Sequence, residues 1–514
     1  MLTQHPKGVV VSEEKRHVKF PEEGVELDVE VGKNLLEIIR EENFKLHADC
    51  GGIGRCGKCV VRVNGKKRLS CRTYVMEDVE VLIPSQESDE GYAIQVDSDG
   101  PREGEYIDEG SIDDALASDL AIAVDIGTTT IVGKLIVLKT GGELASFAQL
   151  NEQLPYGADV ISRINVSLDD ASELSAIVTK QIDKDIANMI KDSGVDSSQI
   201  KRVVIAGNTT MTYILLNAPC RSLGFVPFEP DYYYPVDQKY KDIFKTDTLD
   251  CDVTVMPFIS AYVGGDLTSG LCSLGAEDDF ILMDMGTNGE LIFKRGDQLV
   301  CTATAAGPAF EGGNIECGSG STKGAISVVE HENGEWKLQT IGAAPPTSIC
   351  GSGILDLMAV LVREGFIDET GLMTDKVENG RIVLAKNPAL DSGEVYFTQK
   401  DLRQFQLAKS ATRSGLEIIM AVMGGDIPKK VFLAGGFGQN LNPESALTTG
   451  MLPKSFSGRV QAIGNSSLSG AVKACLNESA RAGLVDLAEG GHEINLAAHE
   501  MFDDQFITNM YFEV

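Results

Sequence analysis

Ala121-Ile122-Ala123-Val124-Asp125-Ile126-Gly127-Thr128-Thr129-Thr130 is an apolar run that ends in a carboxylate, a glycine and three hydroxyl side chains. The run reads as a buried strand from Ala121 to Val124, and Ile131 to Leu138 as the strand that returns. The same text recurs: Phe280 to Met283 runs into Asp284-Met285-Gly286-Thr287-Asn288-Gly289, then Leu291 to Phe293. An internal duplication is the natural explanation. Between the copies, Val178, Ile182, Ile186 and Met189 mark one face of a helix. Strand Val203 to Ile205 then enters Ala206-Gly207-Asn208-Thr209-Thr210. Further on, Gly351-Ser352-Gly353 opens a helix from Ile354 to Arg363, and strand Val431 to Leu433 enters Ala434-Gly435-Gly436-Phe437-Gly438. Strands alternating with helices and Gly-rich turns predict α/β layers.

The repeated hairpin has a chemical reading. A bound phosphate needs backbone N–H donors and small hydroxyl side chains, and its Mg²⁺ needs a carboxylate, often through water. Asp125, Gly127, Thr128, Thr129 and Thr130 supply these from the first half, and Asp284, Gly286, Thr287 and Asn288 from the second. Two such hairpins facing across a cleft would hold phosphates between them. Gly435, Gly436 and Gly438, after a strand, would let an adenosine approach the backbone closely. Each motif alone is weak; all three in this order, on strands, are specific. There is no Walker A motif, so a P-loop fold is not supported.

Upstream stands a different unit. Cys50, Cys56, Cys59 and Cys71 follow a C-x5-C-x2-C-x11-C spacing, with Gly51, Gly52, Gly54 and Gly57 in the loop. Four thiolates satisfy a 2Fe–2S cluster, and small residues let the backbone curl round it and aim N–H groups at its sulfurs. A structural zinc site more often brings two short C-x2-C pairs. Around the cysteines, His17 to Phe20 and Val25 to Val31 read as strands, Asn34 to Glu42 as a short helix, and Asn64-Gly65 as a hairpin turn. Val79 to Ile83 reads as a closing strand. A small α+β unit over 10–86 follows.

Residues 87–119 hold twelve acidic side chains and one basic, Arg102. This composition predicts a solvated linker over 87–118, with the α/β region filling 119–514. The whole chain has 514 residues and a net charge of −31, which disfavours nucleic acid as a partner. No 18-residue apolar run suggests a membrane span, and Met1 to Lys15 shows no apolar segment of a secretory signal. A cytoplasmic location is the expectation. The other seven cysteines are scattered, and the simplest expectation for them is buried, reduced thiols.

The cysteine spacing resembles the ferredoxin family, in a variant with five residues between the first two cysteines where plant-type spacing has four. That resemblance implies a β-grasp fold with a one-electron centre. Residues 120 to 514 are similar to the superfamily of acetate and sugar kinases, chaperone ATPases and actin, with Asp125–Thr130, Asp284–Gly289 and Ala434–Gly438 matching its two phosphate motifs and its adenosine motif. The expected fold is therefore an α+β β-grasp ferredoxin domain followed by an α/β actin-like ATPase domain of two duplicated lobes.

The combination resembles the reductive activators of corrinoid proteins over nearly the whole chain. Gly207–Met211, Ala306–Gly312, Cys350–Gly353, Asp401–Gly415 and Asp503–Phe512 also look like that family's segments. Some members have an extra domain where this chain has only the acidic linker, and others have further cysteine clusters near the C-terminus, where this chain has only Cys475 beyond residue 350. The resemblance implies ATP-dependent reduction of a Co(II) corrinoid protein to Co(I), with one electron drawn from the 2Fe–2S centre. It also implies an upstream donor such as a ferredoxin or reductase, and suggests a homodimer. By position, Asp125 and Asp284 would hold Mg²⁺ through water, Thr128, Thr129 and Thr287 would contact phosphate, and Asp266 is a candidate base. For Asp266 a helix-capping role competes with that one; Glu311 and Asn208 stand between structural and functional roles.

Three rivals share some of these features. A 2-hydroxyacyl-CoA dehydratase activator would need a 4Fe–4S cluster shared between subunits, and no paired cysteines suggest one. A small-molecule kinase with a redox-sensing ferredoxin domain would make a phosphorylated product. A chaperone-like scaffold would turn over ATP without electron transfer.

Overall fold

The computed structural model describes residues 15–42, 44, 46, 52, 59–83, 118–157, 159–231, 237–286, 289–390 and 392–513. Cys50, Cys56, Thr287, Asn288 and nearly all of the acidic linker lie outside these residues.

The first unit is a five-stranded sheet of β1 (Lys15–Phe20), β2 (Val25–Glu30), β3 (Val60–Val63), β4 (Lys66–Leu69) and β5 (Val79–Leu82), in the order β2-β1-β5-β3-β4. β1 and β5 run parallel, hairpins join β1/β2 and β3/β4, and β3 pairs antiparallel with β5. Asn64 and Gly65 both hold positive φ, 48° and 77°, as a tight two-residue hairpin requires. The helix Leu35–Glu41 covers the sheet because Leu35, Leu36, Ile38 and Ile39 share one face and bury it against Val18, Phe20, Val61 and Val81. Asn34 caps it, accepting from the Leu36 N–H at 3.0 Å.

The remainder forms two lobes. The first sheet holds β6 (Leu120–Ile126), β7 (Thr130–Val137), β8 (Glu143–Leu150), β9 (Ile200–Gly207), β10 (Asp237–Lys239) and β11 (Asp252–Val255), in the order β10-β11-β9-β6-β7-β8. The second lobe opens with β12 (Phe280–Met285), β13 (Gly289–Arg295) and β14 (Gln298–Thr304). A small sheet of β15 (Ala325–Glu332), β16 (Glu335–Thr340) and β17 (Ser348–Ile349) and a hairpin of β18 (Arg381–Lys386) and β19 (Glu394–Thr398) follow. The chain then returns through β20 (Lys430–Ala434), β21 (Val460–Gly464) and β22 (Gly491–Glu493), giving the order β21-β20-β12-β13-β14-β22.

The duplication read from the two Asp-x-Gly-Thr hairpins extends through both sheets. β11-β9-β6-β7-β8 and β21-β20-β12-β13-β14 have the same order and the same strand directions. Asp125 sits opposite Ala206 of β9, and Asp284 sits opposite Ala434 of β20. The turn Gly207-Asn208 is thus the counterpart of Gly435-Gly436.

The lobes exchange helices. Gly265–Leu274 follows the strands of the first lobe yet buries Leu267 and Leu271 with Phe280 and Leu282 of the second. Ser466–Leu476 follows the second lobe and buries Leu468, Ala471 and Cys475 against Ala121, Ala123 and Val204 of the first. Where the two helices cross, a Cβ on Gly470 would overlap the Ser269 carbonyl at 1.7 Å, and one on Gly270 would stand 2.9 Å from Ser466 Oγ. The small residues bring the backbones into contact at the seam between the lobes.

Several local expectations are refined. Val178, Ile182, Ile186 and Met189 are buried on the helix Ser172–Ser193. Gly351-Ser352-Gly353 forms the first turn of the helix Gly351–Arg363 itself. Gly435 to Gly438 lies in a short helix, Gly435–Asn440, that starts directly from β20. Cys220, Cys251, Cys272, Cys301, Cys350 and Cys475 are buried thiols, whereas Cys317 is only half-buried. Among the described residues, no helix is long and apolar enough to cross a membrane.

Candidate nucleotide cleft and cluster site

β6 and β12 each deliver an aspartate at the strand end, just before a turn. Asp125 accepts from Asn465 Nδ2 on Oδ2 at 2.8 Å and from Ser467 Oγ on Oδ1 at 2.7 Å. Both donors come from the start of the helix Ser466–Leu476, so the second lobe's crossing helix aims the first lobe's carboxylate. Asp266 lies in the first turn of the other crossing helix, whose N-cap is Gly264, and its Oδ1 accepts from the Leu267 N–H at 2.9 Å. Gly264 holds the N-cap position, and the Asp266 carboxylate satisfies one of the free first-turn N–H groups of this helix.

The three carboxylates act as one electrostatic unit. Each keeps some surface open to the cleft, while the surrounding protein desolvates the charge. Burial, then the charges of Asp284 and Asp125, push Asp266 up to about 8. Burial, then Asp125, push Asp284 up to about 7. Burial also raises Asp125, with the hydrogen bonds from Ser467 and Asn465 pulling the other way. Crowded carboxylates with raised pKa values are the environment a divalent cation would relieve. Among the described residues, no three acidic, imidazole or thiol groups converge to ligate one metal ion directly. The neighbouring carboxylates Asp125, Asp266 and Asp284 fit a cation that they share with phosphate oxygens and water.

The first phosphate hairpin is braced from behind. The Gly127 N–H donates to the Thr130 carbonyl at 2.9 Å, closing the turn. Asn151 Nδ2 donates to the Gly127 carbonyl at 2.9 Å, and the Asn151 N–H to the Thr129 carbonyl at 2.9 Å. Arg163, fully buried on the helix Val160–Val166, donates to the Thr128 carbonyl, to Gln153 Oε1 at 3.0 Å and to the Gly157 carbonyl at 3.0 Å. Burial lowers its guanidinium to about 9. With its carbonyls tied back, the hairpin leaves its tip side chains for a ligand.

On the other side, Gly435 touches the second carboxylate: a Cβ there would lie 2.5 Å from Asp284 Oδ1. Gly436 has open space where a side chain would be. Phe437 stacks on Phe310, ring centroids 5.0 Å apart and planes at 9°, so the segment Ala306–Gly312 backs the adenosine motif. Asn208 caps the helix Thr209–Leu215, accepting from the Met211 N–H at 2.9 Å, which gives it a structural role. The structure thus gathers Asp125, Asp266, Asp284 and Gly435 at one place, with Gly127 to Thr130 in the turn after Asp125 and Gly286 directly after β12. Thr287 and Asn288 lie outside the described residues.

Sequence reasoning missed Asn465, Ser467, Asn151 and Arg163. Only Arg163 carried a local signal, a lone cation among Val160, Ile161 and Ile164.

In the first unit, Cys59 ends the loop and Cys71 lies on the turn Ser70–Arg72. Both are buried, and their Sγ atoms are 3.1 Å apart, longer than the ~2.05 Å of a disulfide. Two adjacent thiols suit a shared metal centre. Cys50 and Cys56, the other two of the expected set, lie outside the described residues.

Comparison with known proteins matches most of the chain. Residues 278–514 match the family described as the C-terminal, ASKHA domain of RACo, residues 120–279 match the RACo middle region, and residues 19–79 match the 2Fe–2S iron–sulfur cluster binding domain. The chain belongs to the RACo family. Within this RACo chain the middle region coincides with the first lobe, and the ASKHA match begins just before β12 of the second. The corrinoid activation enzyme RamQ of Eubacterium limosum is 28% identical, over 96% of this chain and 99% of the relative. A Co(II) methylated amine-specific corrinoid protein reductase of Methanosarcina barkeri is 22% identical, over 76% of each. A solved structure of a reductive activator for corrinoid, iron–sulfur protein superposes with a TM-score of 0.66 at 28% identity, covering 97% of this chain and 98% of that one.

Proposed function

We propose that the chain is an ATP-hydrolysing electron-transfer protein that returns a corrinoid protein from Co(II) to Co(I). The observation that carries this reading is the pairing, in one RACo-family chain, of the Cys59/Cys71 thiol site with the Asp125/Asp266/Asp284 cleft. The first fits a one-electron donor, the second a triphosphate with its cation.

Cys50, Cys56, Cys59 and Cys71 would hold the 2Fe–2S cluster, which supplies one electron at a time. Asp125, fixed by Asn465 and Ser467, and Asp284 would hold Mg²⁺, which would neutralise phosphate charge. Thr128, Thr129 and Thr130 bind phosphate from one lobe, Gly286, Thr287 and Asn288 from the other, and the adenosine lies along Gly435, Gly436 and Gly438. Asp266 takes the proton of the attacking water: with the charges of Asp125 and Asp284 neutralised by the cation, its pKa falls from about 8 and the carboxylate is ionised to accept that proton.

The overall balance is one electron gained by cobalt, with ATP and water converted to ADP and phosphate. From a centre near −400 mV, each 100 mV uphill costs about 2.3 kcal/mol. Closure of the two lobes on ATP, about the seam of Gly270 and Gly470, is the bistable element through which hydrolysis can offset that cost. The upstream donor is a ferredoxin or reductase, the chain works as a homodimer, and its setting is the cytoplasm; the high acidic charge suits a soluble partner rather than nucleic acid.

The test is spectroscopic. Anaerobic protein is mixed with a Co(II) corrinoid protein, a chemical reductant and ATP, and the Co(I) band is followed. Growth of that band only with ATP and an intact cluster is expected. ATP turnover with no Co(I) from any corrinoid protein, or with a phosphorylated small molecule as product, would move the reading to a scaffold or a kinase.

A further inference from the structure

Arg40 joins the cluster-bearing unit to the first lobe. It stands in the last turn of the helix Leu35–Glu41. One Nη donates to the Pro155 carbonyl at 2.5 Å, and the guanidinium lies 5.0 Å from the centroid of the Tyr156 ring. Tyr156 is in turn held through its hydroxyl, which donates to Glu173 at 2.9 Å.

Both sides of this contact lead to a functional site through short, specific bonds. On the cluster side, Asn34 caps the same helix and its Nδ2 donates to the Cys71 carbonyl at 3.1 Å. On the lobe side, Pro155 and Tyr156 belong to the segment 151–157, the one that braces the phosphate hairpin. Asn151 holds the carbonyls of Gly127 and Thr129, and Arg163 links the Thr128 carbonyl to Gln153 and Gly157. All three carbonyls of the hairpin tip are thus tied to the loop on which Arg40 sits.

The seat is also light. Among the described residues, Arg40 Nε is buried without a hydrogen-bond partner, and the guanidinium is held by one carbonyl and one ring face. The Asn151 and Arg163 links carry several good hydrogen bonds. A displacement that starts at the hairpin will therefore be transmitted through the strong links and released at the weak one.

We propose that Arg40 is a positioning residue through which a triphosphate in the Gly127–Thr130 hairpin loosens the cluster-bearing unit from the first lobe. This rests on the ATP-driven reading above and adds how the nucleotide reaches the redox unit. Phosphate binding turns the N–H groups of the hairpin toward the ligand, which shifts the carbonyls that Asn151 and Arg163 hold. The 151–157 segment moves with them, the Pro155 carbonyl leaves Arg40, and the helix Leu35–Glu41 is freed to carry its cluster toward a partner.

The experiment is hydrogen–deuterium exchange on the full chain with its cluster reconstituted, with and without the non-hydrolysable analogue AMPPNP and Mg²⁺. Protection at 127–130 together with at least twofold faster exchange at 35–41 is expected. In Arg40→Ala, exchange at 35–41 should be fast from the start and insensitive to AMPPNP. Its ATP hydrolysis should stay within about twofold of the unaltered protein, while the ATP consumed per Co(I) formed rises several-fold. Tyr156→Phe, which keeps the ring, should retain the response, so a simple folding defect is distinguishable. Protection at 127–130 with unchanged exchange at 35–41 would overturn the proposal alone. No protection at 127–130 would overturn both it and the ATP reading beneath it.

Discussion

Gly435 lies against Asp284: a Cβ at Gly435 would stand 2.5 Å from Oδ1 of the carboxylate and 3.0 Å from the Met285 carbonyl. Gly435 also holds φ at +82°, the left-handed region that L side chains rarely enter. The adenosine motif and the second phosphate motif, separated by about 150 residues in the chain, therefore meet at one backbone position because β12 and β20 are paired neighbours.

Gly435→Ala should strain the backbone by about 1 kcal/mol and crowd Asp284 by about 1–3 kcal/mol more. Binding of a fluorescent ATP analogue should weaken at least tenfold. Gly436→Ala, where the space is open, should change it far less. Equal effects at the two positions would contradict the close-approach argument.

Asp284→Asn removes one of three crowded charges. The nucleotide-free protein should become more stable, by about 1 kcal/mol or a melting shift of roughly 2–4 °C, while ATP turnover falls by two orders of magnitude or more. Calorimetry and a phosphate-release assay on the same preparation check both. A variant that loses stability and activity together would place Asp284 in a structural role.

The pH dependence follows from the same carboxylates. Their folded pKa values, about 7 for Asp284 and about 8 for Asp266, lie above the ~3.9 of an unfolded Asp. Between pH 4 and 8 the folded chain holds protons that the unfolded chain has released, so their contribution to stability is lost as pH rises through 7 to 8. Mg²⁺ bound with ATP beside these carboxylates would lower both pKa values and remove that loss. The melting shift caused by Mg-ATP should therefore be larger at pH 8.5 than at pH 6. The same shift at both pH values would contradict the coupled-carboxylate account.

Arg163→Met would leave the Thr128 carbonyl, the Gly157 carbonyl and Gln153 Oε1 without their buried donor. A loss of about 2–4 kcal/mol in denaturant unfolding is expected, with a raised KM for ATP. Arg163→Lys should recover only part of either, because one ammonium cannot reach three acceptors in a fork.

The hairpins Asp125–Thr130 and Asp284–Gly289 were legible because strand, turn and hydroxyl chemistry are contiguous in sequence, and the Asn64-Gly65 turn for the same reason. Asn465 and Ser467 were not, since they reach Asp125 across 340 and 342 residues by way of a crossing helix. Nothing local to an Asn-Ser-Ser helix start distinguishes a carboxylate clamp from an ordinary cap. The segments Asp401–Gly415 and Asp503–Phe512 stood out as separate stretches, and the structure shows why they belong together. Lys409 is buried with Nζ donating to the carbonyls of Asn509 at 2.6 Å and Tyr511 at 2.7 Å, and it lies over the Phe512 ring. A buried lysine satisfied by backbone carbonyls and a ring from a distant tail leaves no pattern that periodicity detects.

In the proposed function, ATP hydrolysis drives electron transfer rather than only speeding it. The measurement is the final Co(I) to Co(II) ratio in a corrinoid protein held with this protein at a fixed, buffered reductant potential, with and without ATP. The account predicts a ratio with ATP that stays above the one reached without it, for as long as ATP lasts, and that Asp284→Ala abolishes the difference. The same final ratio in both, reached merely sooner with ATP, would contradict it.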